Sequence, residues 1–372
     1  MLTMSTAFDP AILPVPGHAF IPSQIAHQQR QSGPRQRNSA DQPGLSEGAL
    51  LAAHAGLLLQ NGADLAAVRL RGQWPALMAG VAALGEVVAQ TCNAACVHEK
   101  TGVYHGASHS GQVGLVLGGE IDLRVFYRHW AHGYAVCERG ASGVQRSLQF
   151  FDAAGHAVHK IMLTPRSDLA AYDALVAHHA ASDQQPGMCV QAPPSPPAEQ
   201  PDAQVDVAGL RAGWASLHDT HDFFLLLKKY AVSRLQALRL AEPRFVQQLD
   251  AACVLDLLRD AAQEQVAITA LVGNAGMLQL HTGQVHKVLA MGPWIMIADA
   301  RFRLQLCEDD IASAWVVRKP TVDGLVTSVE VYDHKGDAIV MLSGARKPGA
   351  QELCEWRHIV DKAAWEDQLC AA

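Results

Sequence analysis

A chain of 372 residues with 49% hydrophobic side chains is long enough for two ordinary domains that bury their cores without covalent staples. Its formal net charge of −7 argues against a nucleic-acid partner, because neutralising a phosphate backbone needs a basic surface. The longest apolar runs, such as residues 113–119, are too short to span a bilayer, so no stable membrane insertion is expected.

Residues 1–42 are rich in Pro, Gln and Ser without an apolar period and are expected to form a flexible N-terminal extension. They lack a basic stretch followed by an apolar run, so no secretory signal is expected and the protein is placed in the cytoplasm. The eight cysteines include no Cys-x-x-Cys pair, which fits reduced thiols in that compartment. A first lobe is expected over residues 43–182. It opens with a helix in "LSEGALLAAHAG", where Ser46 has the position of an N-cap. Strands follow in "GQVGLVLG", "IDLRVFYRHW" and "SLQFFDAAGHAVHKIML".

Residues 183–204 are Pro-rich and polar and are expected to link the lobes. A second lobe then covers residues 205–372. Its first helix is predicted over residues 207–230, placing Leu217, His221, Phe224 and Lys228 on one stripe, with His218 one turn before His221. Ser233 is expected to cap the next helix, and strands are predicted in "QVHKVLAMGPWIMIAD", "AWVVRKP" and "LVTSVEVYDHKGDAIVMLSG".

The two lobes share one register. Asn93, Leu123, Phe151, Asp152, Gly155 and Ala157 recur as Asn274, Leu304, Tyr332, Asp333, Gly336 and Ala338, each at an offset of 181. This predicts a tandem duplication, with "DAAGHA" and "DHKGDA" as equivalent turns. The expected fold class is α+β, each lobe an antiparallel β-sheet with packing helices.

Residue patterning alone leaves the chemistry open. His218 and His221 could sit at the surface against Asp219 or Asp222, or they could be ligands. The "HDTH" run lacks the spacing and the glutamate of an HExxH metalloprotease. Arg124, Arg234, Lys319 and Arg346 could each be solvated surface cations. His98 reads equally well as a buried strand residue beside Glu99.

Longer blocks narrow this. "CVHEKTGVY", "GEIDLRVFYRHWAHGYAV", "DTHDFFLLLKKYAVSRLQALR", "AWVVRKPTVDGLVTSVEVYD" and "CEWRHIV" resemble the haemin-degrading factor (HemS/ChuS-like) family of bacterial cytoplasmic haem-utilisation proteins. The resemblance implies a duplicated two-lobe fold that holds haem b, as substrate or cargo, between its lobes. It implies His221 as the axial ligand of the iron, with His218 a possible alternative ligand. Arg124 would lie on the distal side, catalytic if the protein is an enzyme, with Phe126 as an apolar wall. Arg234, Lys319 and Arg346 would face the propionates.

The implied role is haem-iron acquisition, either by oxidative opening of the porphyrin to release iron or by reversible carriage of haem. A haem importer, a reductase and an acceptor haem oxygenase are the partners it suggests. No GxGxxG fingerprint stands between a strand and a helix, so electrons for an oxygenase-type activity would come from an external donor. The readings from other classes are a carrier or chaperone without catalysis and a non-haem scaffold protein.

Overall fold

The computed structural model describes residues 46–371 apart from 58, 60–63, 141–142, 194–197 and 348. The extension expected over residues 1–42 lies outside the described residues. The first sequence copy carries helices α1 (Glu47–Ala52), α2 (Trp74–Gly80) and α3 (Leu169–His179). Its strands are β1 (Leu65–Arg69), β2 (Gly85–Cys92), β3 (Cys96–Gly102), β4 (Ala107–Ser110), β5 (Val113–Val116), β6 (Asp122–Phe126), β7 (His132–Gly140), β8 (Gly143–Phe151) and β9 (Ala157–Ser167).

The second copy carries α4 (Val207–Ala215), α5 (Asp222–Tyr230), α6 (Arg234–Leu240), α7 (Cys253–Gln263) and α8 (Cys354–Ala371). Its strands are β10 (Val246–Leu249), β11 (Ile268–Asn274), β12 (Met277–Gly283), β13 (Val288–Met291), β14 (Trp294–Ala298), β15 (Phe302–Cys307), β16 (Ser313–Thr321), β17 (Gly324–Tyr332) and β18 (Ala338–Gly344). Strands β7, β8 and β9 begin 181 residues before β16, β17 and β18, the offset read from the sequence. The fold is α+β, as expected.

Two compact units form. Among the described residues, the first comprises those within 46–90, 101–193 and 275–277, and the second those within 91–100, 198–274 and 278–371. Within the first, antiparallel strands run in the order β1-β7-β8-β9-β2, and β4-β5-β6 form a further antiparallel run. Within the second the orders are β10-β16-β17-β18-β11-β12 and β3-β15-β14-β13. Alternating burial in β6, β14 and β15 shows one face of these strands turned to a core. In the first unit the core is organised around Trp74, Trp130 and Phe150. Part of the segment expected as a linker is bonded there: Gln184 exchanges hydrogen bonds with the Arg69 backbone, and Gly187 N–H donates to Ala52 O.

Local chemistry explains where elements begin and turn. Ser46 accepts from Ala49 N–H and Ser233 from Gln236 N–H, so both serines are the N-caps the sequence suggested. Asp152 Oδ1 accepts from the N–H groups of Ala154 and His156, and Asp333 Oδ1 from those of Lys335 and Asp337. These are the same turn built twice. Each needs its glycine, since Gly155 has φ +78° and Gly336 φ +83°.

A Cβ on Gly155 would overlap Ser46 Oγ, the cap of α1, whereas one on Gly336 meets only Leu235 Cδ2 at 3.3 Å. Gly336→Ala is therefore expected to cost about 1–2 kcal/mol, the left-handed penalty alone. Gly155→Ala should cost roughly 1 kcal/mol more through the displaced cap. Urea denaturation of the two variants checks the order; equal losses would show that the cap yields without cost. Among the described residues, no helix is long and apolar enough to cross a membrane.

Candidate functional site

The helix predicted over residues 207–230 is broken. Helix α4 ends at Ala215, residues 216–221 form a turn, and α5 starts at Asp222. The reason lies in the polar run at the break. Asp219 Oδ1 accepts from His221 N–H at 2.7 Å, and Asp222 Oδ2 accepts from Asp219 N–H at 3.1 Å. Short polar side chains that bond nearby backbone N–H groups outcompete the helical ladder and favour a cap. His218 and His221 are thus not neighbours on a helical face. The rotation or sliding of one helix that would exchange them as ligands has no helix to act on.

The break gives His221 a defined setting. It is the N-cap residue of α5, and its Nδ1 lies 2.5 Å from Asp219 Oδ1. Hydrogen bonds from the backbone and ring of His221 hold the Asp219 carboxyl below its ordinary range, so it is an anion at neutral pH. A carboxylate accepts only, which places a proton on Nδ1 and makes Nε2 the nitrogen through which this ring could bind a metal. The His221 side chain is 94% exposed. Beside it on α5, Phe224 is 69% exposed and Leu225 is also exposed, unusual positions for large apolar side chains.

Phe223, the next residue after Asp222, turns the other way. It is buried against Trp214 with ring centroids 4.6 Å apart, and Trp214 Nε1–H donates to Arg318 O, which ties α4 to β16. The Arg234 guanidinium carbon lies 5.0 Å from the Phe223 centroid and Lys319 Nζ 4.8 Å from it. The two cations share one anion. Arg234 donates from Nε and Nη2 to the two oxygens of Glu330 at 2.6 Å, and Lys319 Nζ donates to Oε1 at 2.8 Å. Tyr332 O–H donates to Oε2 at 2.7 Å.

Glu330 is fully buried and Lys319 is 6% exposed. Burial raises the carboxyl pKa, but Lys319 and Arg234 outweigh it and hold it well below its ordinary value. Burial and the adjacent carboxylate push the Tyr332 phenol up, so it remains a donor. Arg234, at the N-terminus of α6, keeps 30% of its side chain exposed.

Arg346 pairs with Asp323 Oδ2 at 3.1 Å, and its charge also lowers the Asp219 pKa. Val322 N–H donates to His218 O, which fixes the β16–β17 hairpin to the turn that carries His221. His221, Arg234, Lys319 and Arg346 all lie on the second unit, and Arg234 and Lys319 converge on one carboxylate. Arg124 and Phe126 lie on the first unit, on the half-exposed face of β6, and Arg124 pairs with Asp122. His98 is fully buried in β3, its ring 5.0 Å from that of Phe302; burial, with help from His281 and Lys100, pushes its pKa down to about 3.

Sequence reasoning passed over Glu330 and Tyr332. An acidic residue inside the β-branched run "TSVEVYD" was the available signal.

Fold and site together define a duplicated α+β protein whose second copy carries an outward imidazole, exposed apolar side chains and a basic cluster. The family model of the haemin-degrading HemS.ChuX domain matches residues 44–179 and again residues 231–363. The hemin transport protein HemS of Yersinia enterocolitica is 38% identical over 292 residues, covering 78% of this chain and 84% of its own. Holo-PhuS, described as a heme-binding protein from Pseudomonas aeruginosa, superposes with TM-score 0.83 at 41% identity over 92% of this chain and 99% of its own. ChuS, described as a heme degrading enzyme of Escherichia coli O157:H7, gives 0.79 at 31% identity over 91% and 97%. This chain belongs to the HemS family.

Proposed function

We infer that this chain binds haem, as substrate or cargo, in cytoplasmic haem-iron utilisation, with His221 as the axial ligand of the iron. The observation that carries the reading is the His221–Asp219 pair. The carboxylate orients the ring by accepting from Nδ1, and the ring itself is exposed to solvent, where a ligand can reach Nε2. The other residues present fit the same molecule. Phe224 and Leu225 supply apolar surface for a porphyrin face, and Arg234 and Arg346 supply charge for propionates. Lys319, buried beside Arg234 and bonded to the same carboxylate, is the third cation for the propionates. Arg124 and Phe126 are the haem contacts that the family resemblance supports on the first unit. His218, in the turn that leads to His221, is the alternative ligand.

Degradation and carriage use the same ligand set, and one experiment separates them. The protein is loaded with one equivalent of haem and exposed to ascorbate or a reductase under air with catalase present. Loss of the Soret band with formation of a bile pigment identifies an enzyme served by an external electron donor. A stable band that transfers to an apo-acceptor, such as a haem oxygenase, identifies a carrier. No Soret complex at all returns the chain to the scaffold reading.

Asp219→Asn tests the orienting pair directly. Loss of the anion is expected to weaken haem binding about tenfold, the lower end of what an outer-shell partner of a metal-bound imidazole contributes. Haem titration followed in the Soret region measures it, and an unchanged affinity would remove Asp219 from the site.

A further inference from the structure

Glu330 is a fully buried carboxylate with no part in holding haem on the reading above. Glu330 accepts hydrogen bonds from Arg234 Nε and Nη2, Lys319 Nζ, Tyr332 O–H and, at 3.2 Å, Ser328 O–H. A fork-to-fork pair of this kind satisfies both carboxylate oxygens and occupies the edge of the guanidinium best suited to a second carboxylate. Two cations and one anion leave the cluster a single positive charge. Haem brings two carboxylates.

We propose that Glu330 is a built-in competitor for the carboxylates of the bound ligand, holding Arg234 and Lys319 back and so setting how readily haem is released. The inference rests on the haem reading above. It assigns Glu330 a positioning role, since its buried carboxylate acts through Arg234 and Lys319. Haem is gripped by Arg234 only to the extent that the guanidinium is drawn from Glu330, so its retention is weaker than two unopposed cations would give. A site of this kind gives up its cargo readily.

The duplication supplies a comparison. The counterpart of Glu330 in the first copy, 181 residues earlier, is Gln149 on β8, and Glu138 occupies the counterpart of Lys319. Gln149 Nε2 donates to Ser147 Oγ at 3.0 Å, and Ser147 is itself the counterpart of Ser328. The first copy therefore carries an amide at this position, on a half-buried side chain. The first copy sets Lys160 directly opposite Gln149 across the strands, so the carboxylate that gathers Arg234 and Lys319 is a feature of the second copy alone.

The test compares the full-length wild type with Glu330→Gln, Lys319→Met and the double variant, using haem and haem dimethyl ester as ligands. Dissociation is followed by transfer to excess apomyoglobin. Glu330→Gln is expected to slow haem release by about tenfold, the scale of one added charge-assisted contact, and to leave release of the diester within about twofold of wild type. Lys319→Met should speed haem release by a similar factor. The double variant, which restores a single positive charge, should return to within about threefold of wild type.

The double variant and its Lys319→Met parent decide the matter even where Glu330→Gln fails to fold. Equal changes for haem and diester, or no change in any variant, would overturn the proposal. A wild type that binds haem while Glu330→Gln releases it faster would do the same and would show a purely structural carboxylate. A wild type that binds neither ligand would remove the haem reading itself.

Discussion

If His221 is the axial ligand, as proposed, His221→Ala should lose haem affinity by about 100-fold or more, beyond the 10–100-fold attached to outer-shell partners, because it would remove the ligand rather than its support. The Soret maximum of any residual complex should shift to that of iron with a different axial ligand. The side chain is exposed, so unfolding by urea should be unchanged within about 0.5 kcal/mol. The pairing of these two results is informative. Affinity lost with stability kept assigns the ring to the ligand, whereas a variant that binds haem with an unaltered spectrum would exclude His221 as the axial ligand.

The second large effect is on stability. Glu330→Ala leaves Lys319 buried without an anion and is expected to destabilise the ligand-free protein by about 3–5 kcal/mol, as breaking one side of a buried ion pair does. The pH dependence has a definite sign. The Glu330 carboxyl is held well below its ordinary value in the folded protein, so its contribution is fully present above the unfolded pKa of about 4.3 and is lost as pH falls through the folded pKa. Wild type should therefore lose stability below pH 4 more steeply than Glu330→Ala. Urea denaturation from pH 7 to pH 3 measures both the gap and its closing. A gap that stays constant across that range would show that folding does not shift the Glu330 carboxyl, and one that widens as pH falls from 7 towards 4 would show that it is neutral in the folded protein.

Much of the architecture was legible because it rests on local chemistry. Ser46 and Ser233 announce helix starts through side-chain oxygens that reach N–H groups three residues on. Asp152 and Asp333, each followed by glycine three residues later, announce identical turns. The copy offset was readable for the same reason. The break between α4 and α5 was missed because apolar spacing continues through it, while the deciding forces are the two aspartates bonding to backbone N–H groups. Glu330 was missed for a different reason. Its partners stand 11 and 96 residues away in sequence, and alternation within a strand says nothing about a carboxylate that is buried because two cations meet it there. The pairing of His221 with Asp219 was one of the two surface arrangements the sequence allowed, since the residues stand two apart, and the folded turn selects it; the role of His221 toward iron was suggested by the family blocks.

The make-up of the two units bears on how the chain is synthesised. Residues 91–100 emerge with the first copy yet belong to the second unit, where β15 lies beside β3 with Leu304 opposite His98. Residues 275–277 must likewise be made before the first unit has all its parts, and Met277 is buried in its core. A nascent chain that has cleared the ribosome only as far as the Pro-rich segment therefore carries a strand waiting for a neighbour not yet translated. Such long-range pairing slows folding and leaves a strand edge open to other chains in the meantime. A gene cut between the copies would yield two fragments that each lack a piece of their own unit, and co-expression of the two halves, rather than either alone, is the form in which a split version should accumulate in soluble form.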